Sequence, residues 1–89
     1  MKQQRNVTVK NDLGLHLRAA GALVRVASSF QSEIWLEHGK DRANAKSIIS
    51  VLALAAGKGA DLKISVEGPD AQEALQAVYN HIEQGFPNL

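Results

Sequence analysis

The amino-acid sequence predicts an α+β fold: an open-faced β-sandwich with a four-stranded antiparallel sheet and three helices on one face. Segments with a two-residue apolar period and segments with a helical period follow one another in the order β-α-β-β-α-β-α. Every predicted strand has only one apolar face, so helices should cover one side of the sheet. With 89 residues, the chain is expected to form a single domain, residues 1–89.

The first half of the chain predicts a strand, a helix and a hairpin. A strand is expected near residues 5–10, where Val7 and Val9 alternate with polar residues, and residues 11–14 have turn chemistry. The first helix should run from about Leu17 to Ser28, because apolar residues recur there at helical spacing: Ala20, Leu23, Val24 and Ala27. A strand over 32–37, a turn at His38-Gly39 and a short strand over 40–44 follow.

The second half predicts a short helix, a strand and a longer helix. Ser47 is a good N-cap for the short helix, and Gly57 is placed to end it as the C′ residue. Strict alternation predicts a strand from Asp61 to Glu67. Asp70 and Glu73 resemble a capping box at the start of the last helix, which should stop near Gly85. Its inner stripe is formed by Ala71, Ala74, Leu75, Val78 and Ile82.

Composition excludes several classes of function. A net charge of +1 gives no electrostatic sign of a nucleic-acid partner. The absence of cysteine excludes disulfides, thiol catalysis and thiolate metal sites. No segment has the roughly 18 apolar residues that direct membrane insertion requires. No secretory signal is visible, so a cytoplasmic protein is expected, and no cofactor or metal motif is present.

The segment from Gly14 to Arg18 is the strongest candidate site. It places His16 at the N-cap or first turn of the first helix, where free backbone amides and the helix dipole favour an anion. A histidine can act as a nucleophile and hold a covalent intermediate, and Arg18 would clamp phosphate oxygens. The spacing alone favours a simpler interpretation, in which His16 only caps a helix beside a surface arginine.

Residues 11–20 resemble the active-site signature of HPr, the histidine phosphocarrier family of the bacterial phosphotransferase system. Three further segments, residues 44–49, 56–60 and 64–68, are similar to later parts of that family, so the resemblance covers essentially the whole chain. It implies an HPr-like fold and a carrier rather than an enzyme. It further implies that His16 accepts a phosphoryl group through Nδ1 from enzyme I, itself charged by phosphoenolpyruvate, and passes it to an enzyme IIA-type acceptor.

Two residues depart from the family pattern. Ala19 stands where the family usually has proline after the arginine, so the first turn is less restrained but gains one backbone amide. Our hypothesis is that this amide partly replaces the lost pre-organisation by facing the phosphate. Leu17 stands where a smaller residue is common, and it enlarges the apolar rim of the site.

A second set of residues is expected to serve regulation and docking. The resemblance implies that an HPr kinase can act on Ser47, although a structural N-cap explains this serine equally well. We expect partners to dock on an apolar patch around His16, because the short helix cannot turn all of its apolar residues inward. The predicted docking residues are Leu17, Ala20, Ile48, Ile49 and Leu52, and Arg25 adds either a positive rim or a solvated charge.

The remaining candidates are weaker. Trp35 lies on the polar face of its strand, which indicates either a contact surface or partial shielding by neighbours. His38 and His81 lack metal-ligand spacing and are expected to be structural or surface residues. Two alternatives to a sugar-transport carrier stay open: a nitrogen-related or regulatory HPr paralogue, and a protein-binding module that is never phosphorylated. A hydrolase is disfavoured because no nucleophile or orienting acid accompanies His16.

Overall fold

The computed structural model describes residues 1–86 and contains the seven predicted elements in the predicted order. The strands are β1 (Lys2–Thr8), β2 (Glu33–His38), β3 (Asp41–Asn44) and β4 (Asp61–Glu67). The helices are α1 (Leu17–Ser28), α2 (Ile48–Ala53) and α3 (Ala71–Glu83). The predicted bounds of α1 and β4 are confirmed, whereas the last three residues of the expected domain lie outside the described part of the chain.

The four strands form one antiparallel sheet in the order β1-β4-β2-β3. Its registers align apolar residues across the strands, with Leu36 opposite both Ile64 and Ala43. All three helices lie on the face that these side chains share, which confirms the predicted open-faced sandwich. The one-sided covering of the sheet follows from the two-residue period, because alternation leaves each strand with one face to bury.

The core fills the space between the sheet and the helices. α3 packs on β1 and β4, α1 packs on α2 and α3, and α2 packs on β3. The largest fully buried side chains come from strands, helices and the segment after α3 alike: Leu23, Ile34, Leu36, Leu62, Ile64, Ile82 and Phe86. Removing this apolar surface from water is the main favourable term in folding a chain of this size. No helix of the described residues is long and apolar enough to cross a bilayer.

The opposite face of the sheet carries charged residues and Trp35. The Arg42 guanidinium carbon lies 4.1 Å from the centre of the Trp35 ring, a cation–π geometry. Glu37 pairs with Lys63 at 3.2 Å and with Arg42 at 3.6 Å. Trp35 is half-buried, so the expected partial shielding is confirmed and its neighbour Arg42 provides it.

β1 begins and ends earlier than its apolar residues predict. It pairs with β4 from Lys2 to Thr8, rather than over 5–10, because ladder hydrogen bonds need only backbone groups. Arg5 extends the covered face by placing its guanidinium 3.5 Å from the centre of the Tyr79 ring. Val9 is buried outside the ladder, where its amide donates to the Ala60 carbonyl at 2.9 Å.

Local chemistry was predicted well at one end of α2 and wrongly at the other. Ser47 is the N-cap, and its side-chain oxygen accepts from the Ser50 amide at 3.4 Å. Gly57 is not the C′ residue. α2 ends at Ala53, and Ala55 takes the left-handed conformation with φ of 51°. An alanine in that conformation is strained by about 1–2 kcal/mol, so the surrounding contacts must hold it there.

The predicted capping box at Asp70 is also wrong. Asp70 is the N-cap of α3, but its carboxylate makes no capping hydrogen bond. It accepts instead from the Ser32 hydroxyl at 2.5 Å, the Ser32 amide at 2.9 Å and the Gln31 amide at 2.9 Å. These donors, the Ser32 hydroxyl first, lower the pKa of Asp70 below its ordinary value. The carboxylate therefore ties the start of α3 to the segment that leads into β2.

We expect Asp70→Asn to lower the midpoint of thermal unfolding at neutral pH. The midpoint should also fall less steeply in the variant than in the wild type as the pH is lowered. Because the pKa of Asp70 is lower in the folded state, its stabilisation is present above pH about 4 and is lost as the pH falls through the folded value. Thermal unfolding between pH 2 and 7 measures this. Glu73→Gln, in the same turn of α3, is the matched control and should keep the acid slope. An unchanged slope in Asp70→Asn would contradict the assignment.

Candidate functional site

His16 is the N-cap residue of α1. Its backbone is extended, with φ of −75° and ψ of 175°, and its carbonyl accepts the Ala20 amide at 2.8 Å as the first helical hydrogen bond. Its imidazole makes no capping hydrogen bond and is half-exposed. The ring therefore stands at the positive end of the helix dipole with its nitrogens free of the helix itself.

The backbone just before His16 rests on the segment that follows α2. The Leu15 amide donates to the Ala56 carbonyl at 2.9 Å. Gly14 has φ of 65°, and a Cβ there would clash with the Ala56 carbonyl oxygen and lie 2.7 Å from the Gly57 Cα. Only glycine satisfies both the left-handed backbone and this close approach. The start of α1 is thus positioned from a part of the chain about 40 residues away in sequence.

Residues 11–14 form the predicted turn. The Asn11 side-chain amide donates to the Gly14 carbonyl at 2.7 Å, and the Gly14 amide donates to the Asn11 carbonyl at 3.2 Å. Asp12 forms an ion pair with Lys58 at 2.9 Å. The hydrogen bond from Lys58, with its charge, lowers the pKa of Asp12. Asp12 is therefore neutralised by a partner in the segment after α2 rather than by the site's arginine.

The first turn of α1 supplies donors around His16. The amides of Leu17, Arg18 and Ala19 precede the first helical hydrogen bond, so they have no acceptor within the helix. Arg18 is exposed and forms no ion pair among residues 1–86. The Ala19 side chain is fully buried, which anchors this turn in the core. A nucleophilic imidazole, free amides and an unpaired guanidinium make an arrangement that can receive and hold an anionic group.

Large apolar side chains are exposed in the turn before α1, in the first turn of α1 and in α2. The exposed fractions of Leu17 and Ile49 are 65% and 73%, which is unusual for side chains of this size and agrees with their predicted docking role. Leu13, in the turn before α1, is exposed to 76% and was not among the predicted docking residues. The sequence feature that could have indicated its exposure is the position of a leucine in an otherwise polar turn. We call these three residues the apolar patch.

The other predicted docking residues are less exposed. Ile48 and Leu52 are half-buried and pack against the core, so each presents only part of its side chain to solvent. Ile48 reaches α1 at Gly21, where an added Cβ would lie 3.6 Å from its Cδ1. Ala20 is fully buried, so its prediction as a docking residue is wrong. Its position in the inner stripe of α1 leaves no surface for a partner.

Comparison with known proteins decides the family. The family model described as "PTS HPr component phosphorylation site" matches residues 3–84. The phosphocarrier protein HPr of Treponema pallidum is 44% identical over 82 residues, which cover 92% of this chain and 93% of that protein. The chain belongs to the PTS HPr family.

Two solved structures show how closely the fold follows that of other HPr proteins. The crystal structure of HPr-C-His from Thermoanaerobacter tengcongensis superposes with a TM-score of 0.92 at 38% identity, covering 98% of both chains. The phosphocarrier protein HPr from Bacillus anthracis gives a TM-score of 0.88 at 37% identity, covering 91% of this chain and 96% of that one. The resemblance read from the sequence is confirmed, and with it membership in a phosphocarrier family of the phosphotransferase system.

Within this HPr fold, Ser47 lies at the start of the helix that carries Ile49. Its hydroxyl is half-buried, and its capping bond to the Ser50 amide is long at 3.4 Å. A hydroxyl held this weakly contributes at the low end of capping energies, about 0.5 kcal/mol. The predicted N-cap is confirmed. The predicted regulatory role of Ser47 is not tested by the geometry and stays a proposal.

The two other histidines of this HPr chain make structural contacts. His38 is the last residue of β2 rather than part of a turn, and its Nδ1 lies 3.1 Å from the Leu54 carbonyl oxygen. His81 packs edge-on against Phe86, with ring centres 5.4 Å apart, and burial lowers its pKa. No group of three or more potential metal ligands occurs among the described residues.

Proposed function

We propose that His16 carries a phosphoryl group from enzyme I to an enzyme IIA-type acceptor. Nδ1 of the neutral imidazole attacks phosphorus of the phosphorylated donor, the N–P bond forms, and the bond to the donor breaks. The reverse exchange delivers the group to the acceptor. The observation that carries this proposal is the position of His16, a half-exposed N-cap whose imidazole has no hydrogen bond to its own helix.

The surroundings of His16 suit a carrier rather than a hydrolytic enzyme. The free amides of the first turn and the helix dipole stabilise added negative charge at His16, and Arg18 can bind phosphate oxygens in a bidentate manner. Because Arg18 and Leu17 are exposed, the phosphoryl group would remain open to attack by an acceptor. Reversible transfer needs this balance, since a deeply buried phosphate would be held too tightly to leave.

The proposed partners dock on the apolar patch together with the exposed parts of Ile48 and Leu52. A contact surface centred on exposed leucine and isoleucine side chains buries apolar area around the reacting histidine and excludes water from the transfer. Donor and acceptor would use the same surface in turn, because each must bring its own reactive group to His16. We place this relay in the cytoplasm, in a single domain that spans the chain.

We expect His16→Ala to abolish phosphorylation. Incubation with enzyme I and phosphoenolpyruvate should add one acid-labile phosphoryl group to the wild-type protein and none to the variant, as measured by intact mass. His81→Gln is the matched control, because it removes another histidine, which belongs to α3 and not to the start of α1, and it should be phosphorylated normally. Uptake by His16→Ala would contradict the assignment. If a folded wild-type protein takes up no phosphate, a regulatory protein-binding module becomes the better proposal.

We expect Ile49→Glu to raise the KM for phosphorylation by enzyme I by about tenfold or more, because it buries a charge in the docking surface. The matched control is Gln72→Glu, which adds the same negative charge at an exposed position on α3. Steady-state phosphorylation over a range of protein concentrations separates KM from kcat. Equal KM values for the two variants would rule out docking at Ile49.

Regulation at Ser47 would act through the same surface. A phosphate there would sit at the start of α2, where the helix N-terminus tolerates negative charge, so the helix need not unfold. Its charge would instead oppose the docking of enzyme I next to Ile49. Ser47→Asp in the assay above should therefore raise KM while leaving thermal stability nearly unchanged, with Ser47→Ala as the uncharged control.

We expect Ala19→Pro to shorten the lifetime of the phosphohistidine about threefold or more, because proline removes an amide that can face the phosphate. Ala19→Gly keeps the amide but loosens the helix start, so it separates loss of the donor from loss of pre-organisation. The measurement is hydrolysis of the purified phosphoprotein at neutral pH, together with the rate of phosphorylation. A clear gain in the rate of phosphotransfer in Ala19→Pro would overturn this hypothesis, because rigidity of the first turn would then matter more than the amide.

A further inference from the structure

His38 forms a hydrogen bond that none of the functions above uses. Its Nδ1 lies 3.1 Å from the Leu54 carbonyl oxygen. A carbonyl oxygen can only accept, so Nδ1 must carry the proton, and the neutral ring is the Nδ1–H tautomer. This bond joins the end of β2 to the C-cap residue of α2.

The end of α2 needs this bond because it lacks the usual means of termination. α2 has six residues, the amides just after it bond in the tighter i→i−3 pattern, and its C′ residue is Ala55 rather than a glycine or asparagine. Ala55 adopts a left-handed backbone that disfavours alanine. Carbonyls at a helix C-terminus have no donor in their own helix, and His38 supplies one to Leu54. It therefore holds the chain in place immediately before the strained residue.

The segment that His38 holds is the one that positions His16. Two residues after Leu54, the buried Ala56 accepts the Leu15 amide at 2.9 Å. Gly14 lies against the Ala56 carbonyl and the Gly57 Cα. A shift in Leu54–Ala56 would move the acceptor of Leu15, the residue that precedes the N-cap. The path from His38 to His16 thus consists of two hydrogen bonds and a few covalently joined residues.

We propose that His38 is a positioning residue for phosphotransfer: through Leu54–Ala56, its Nδ1–H fixes the backbone that sets the orientation of His16. The inference rests on the proposed phosphorylation of His16 and adds a residue outside the site. His38 belongs to β2 and is not one of the residues of the apolar patch. Its loss should therefore lower kcat for phosphorylation by enzyme I and leave KM nearly unchanged, in contrast to Ile49→Glu.

The test compares three proteins: wild type, His38→Phe and His38→Asn. Phenylalanine keeps a planar ring of similar size and removes the donor, whereas asparagine can place an amide N–H close to the position of Nδ1. In His38→Phe, we expect hydrogen exchange of the Leu15 amide to accelerate by roughly threefold to tenfold, and kcat to fall by a similar factor. In His38→Asn, both values should return towards those of the wild type.

The Ile64 amide, in the central strand β4, reports global unfolding in the same exchange experiment. If Leu15 exchange and kcat in His38→Phe equal the wild-type values, the inference is overturned. It is also overturned if His38→Asn behaves like His38→Phe, or if Ile64 accelerates as much as Leu15, because His38 would then serve only global stability. A wild-type protein that takes up no phosphate overturns the proposed function instead, and the Leu15 exchange still decides whether His38 controls the backbone before His16.

Discussion

The hydrogen bond from the Leu15 amide to the Ala56 carbonyl is the constraint on which the site depends. It joins the loop before α1 to the segment after α2, and the close approach at Gly14 allows no side chain between the two. The same two stretches meet again at Val9, whose amide and carbonyl bond to Ala60 and Gly59. Loops are usually the mobile parts of a small domain, but here two loops stabilise each other. Backbone hydrogen bonds to the segment after α2 therefore hold the start of α1 in place.

This arrangement reconciles two opposed requirements on α1. Its inner stripe must be buried to stabilise the fold, while the proposed phosphotransfer requires its first residues to stay open to partner proteins. Ala19, Ala20 and Leu23 are fully buried, but Leu17 and Arg18, in the same first turn, are exposed. The helical period separates the two sets within two turns. His16, at the N-cap, thus has the buried stripe of α1 on one side and exposed residues of the first turn on the other.

The site draws its chemistry from groups that many helices possess. Free amides and a helix dipole occur at every helix N-terminus, and an exposed arginine is common. What distinguishes this helix start is the coincidence of these groups with His16 at the N-cap, an apolar patch of Leu13, Leu17 and Ile49, and support from Ala56. The chain that carries this combination matches the PTS HPr family over residues 3–84.

Patterns that depend on local physics were predicted closely from the sequence. The bounds of α1 follow from its apolar stripe, those of β4 from strict alternation, and the N-cap at Ser47 from its hydroxyl. Predictions failed where a distant partner outcompeted the local one. Asp70 could cap its own helix, but its carboxylate accepts from Gln31 and Ser32 instead. Gly57 was predicted as the C′ residue because glycine readily adopts the left-handed conformation, yet Ala55 adopts it instead.

The sequence by itself determined the element order, the one-sided sheet, the histidine at the helix start and the family. These follow from periodicity, residue type and motif, which are properties of neighbouring residues. Only the tertiary structure decided that Ala20 is buried, that Leu13 is exposed, and that the segment after α2 accepts the amide of Leu15, just before His16. The physical reason is that side-chain exposure and long-range hydrogen bonds depend on how the elements pack, and a one-dimensional pattern does not specify which carbonyl a distant amide will meet.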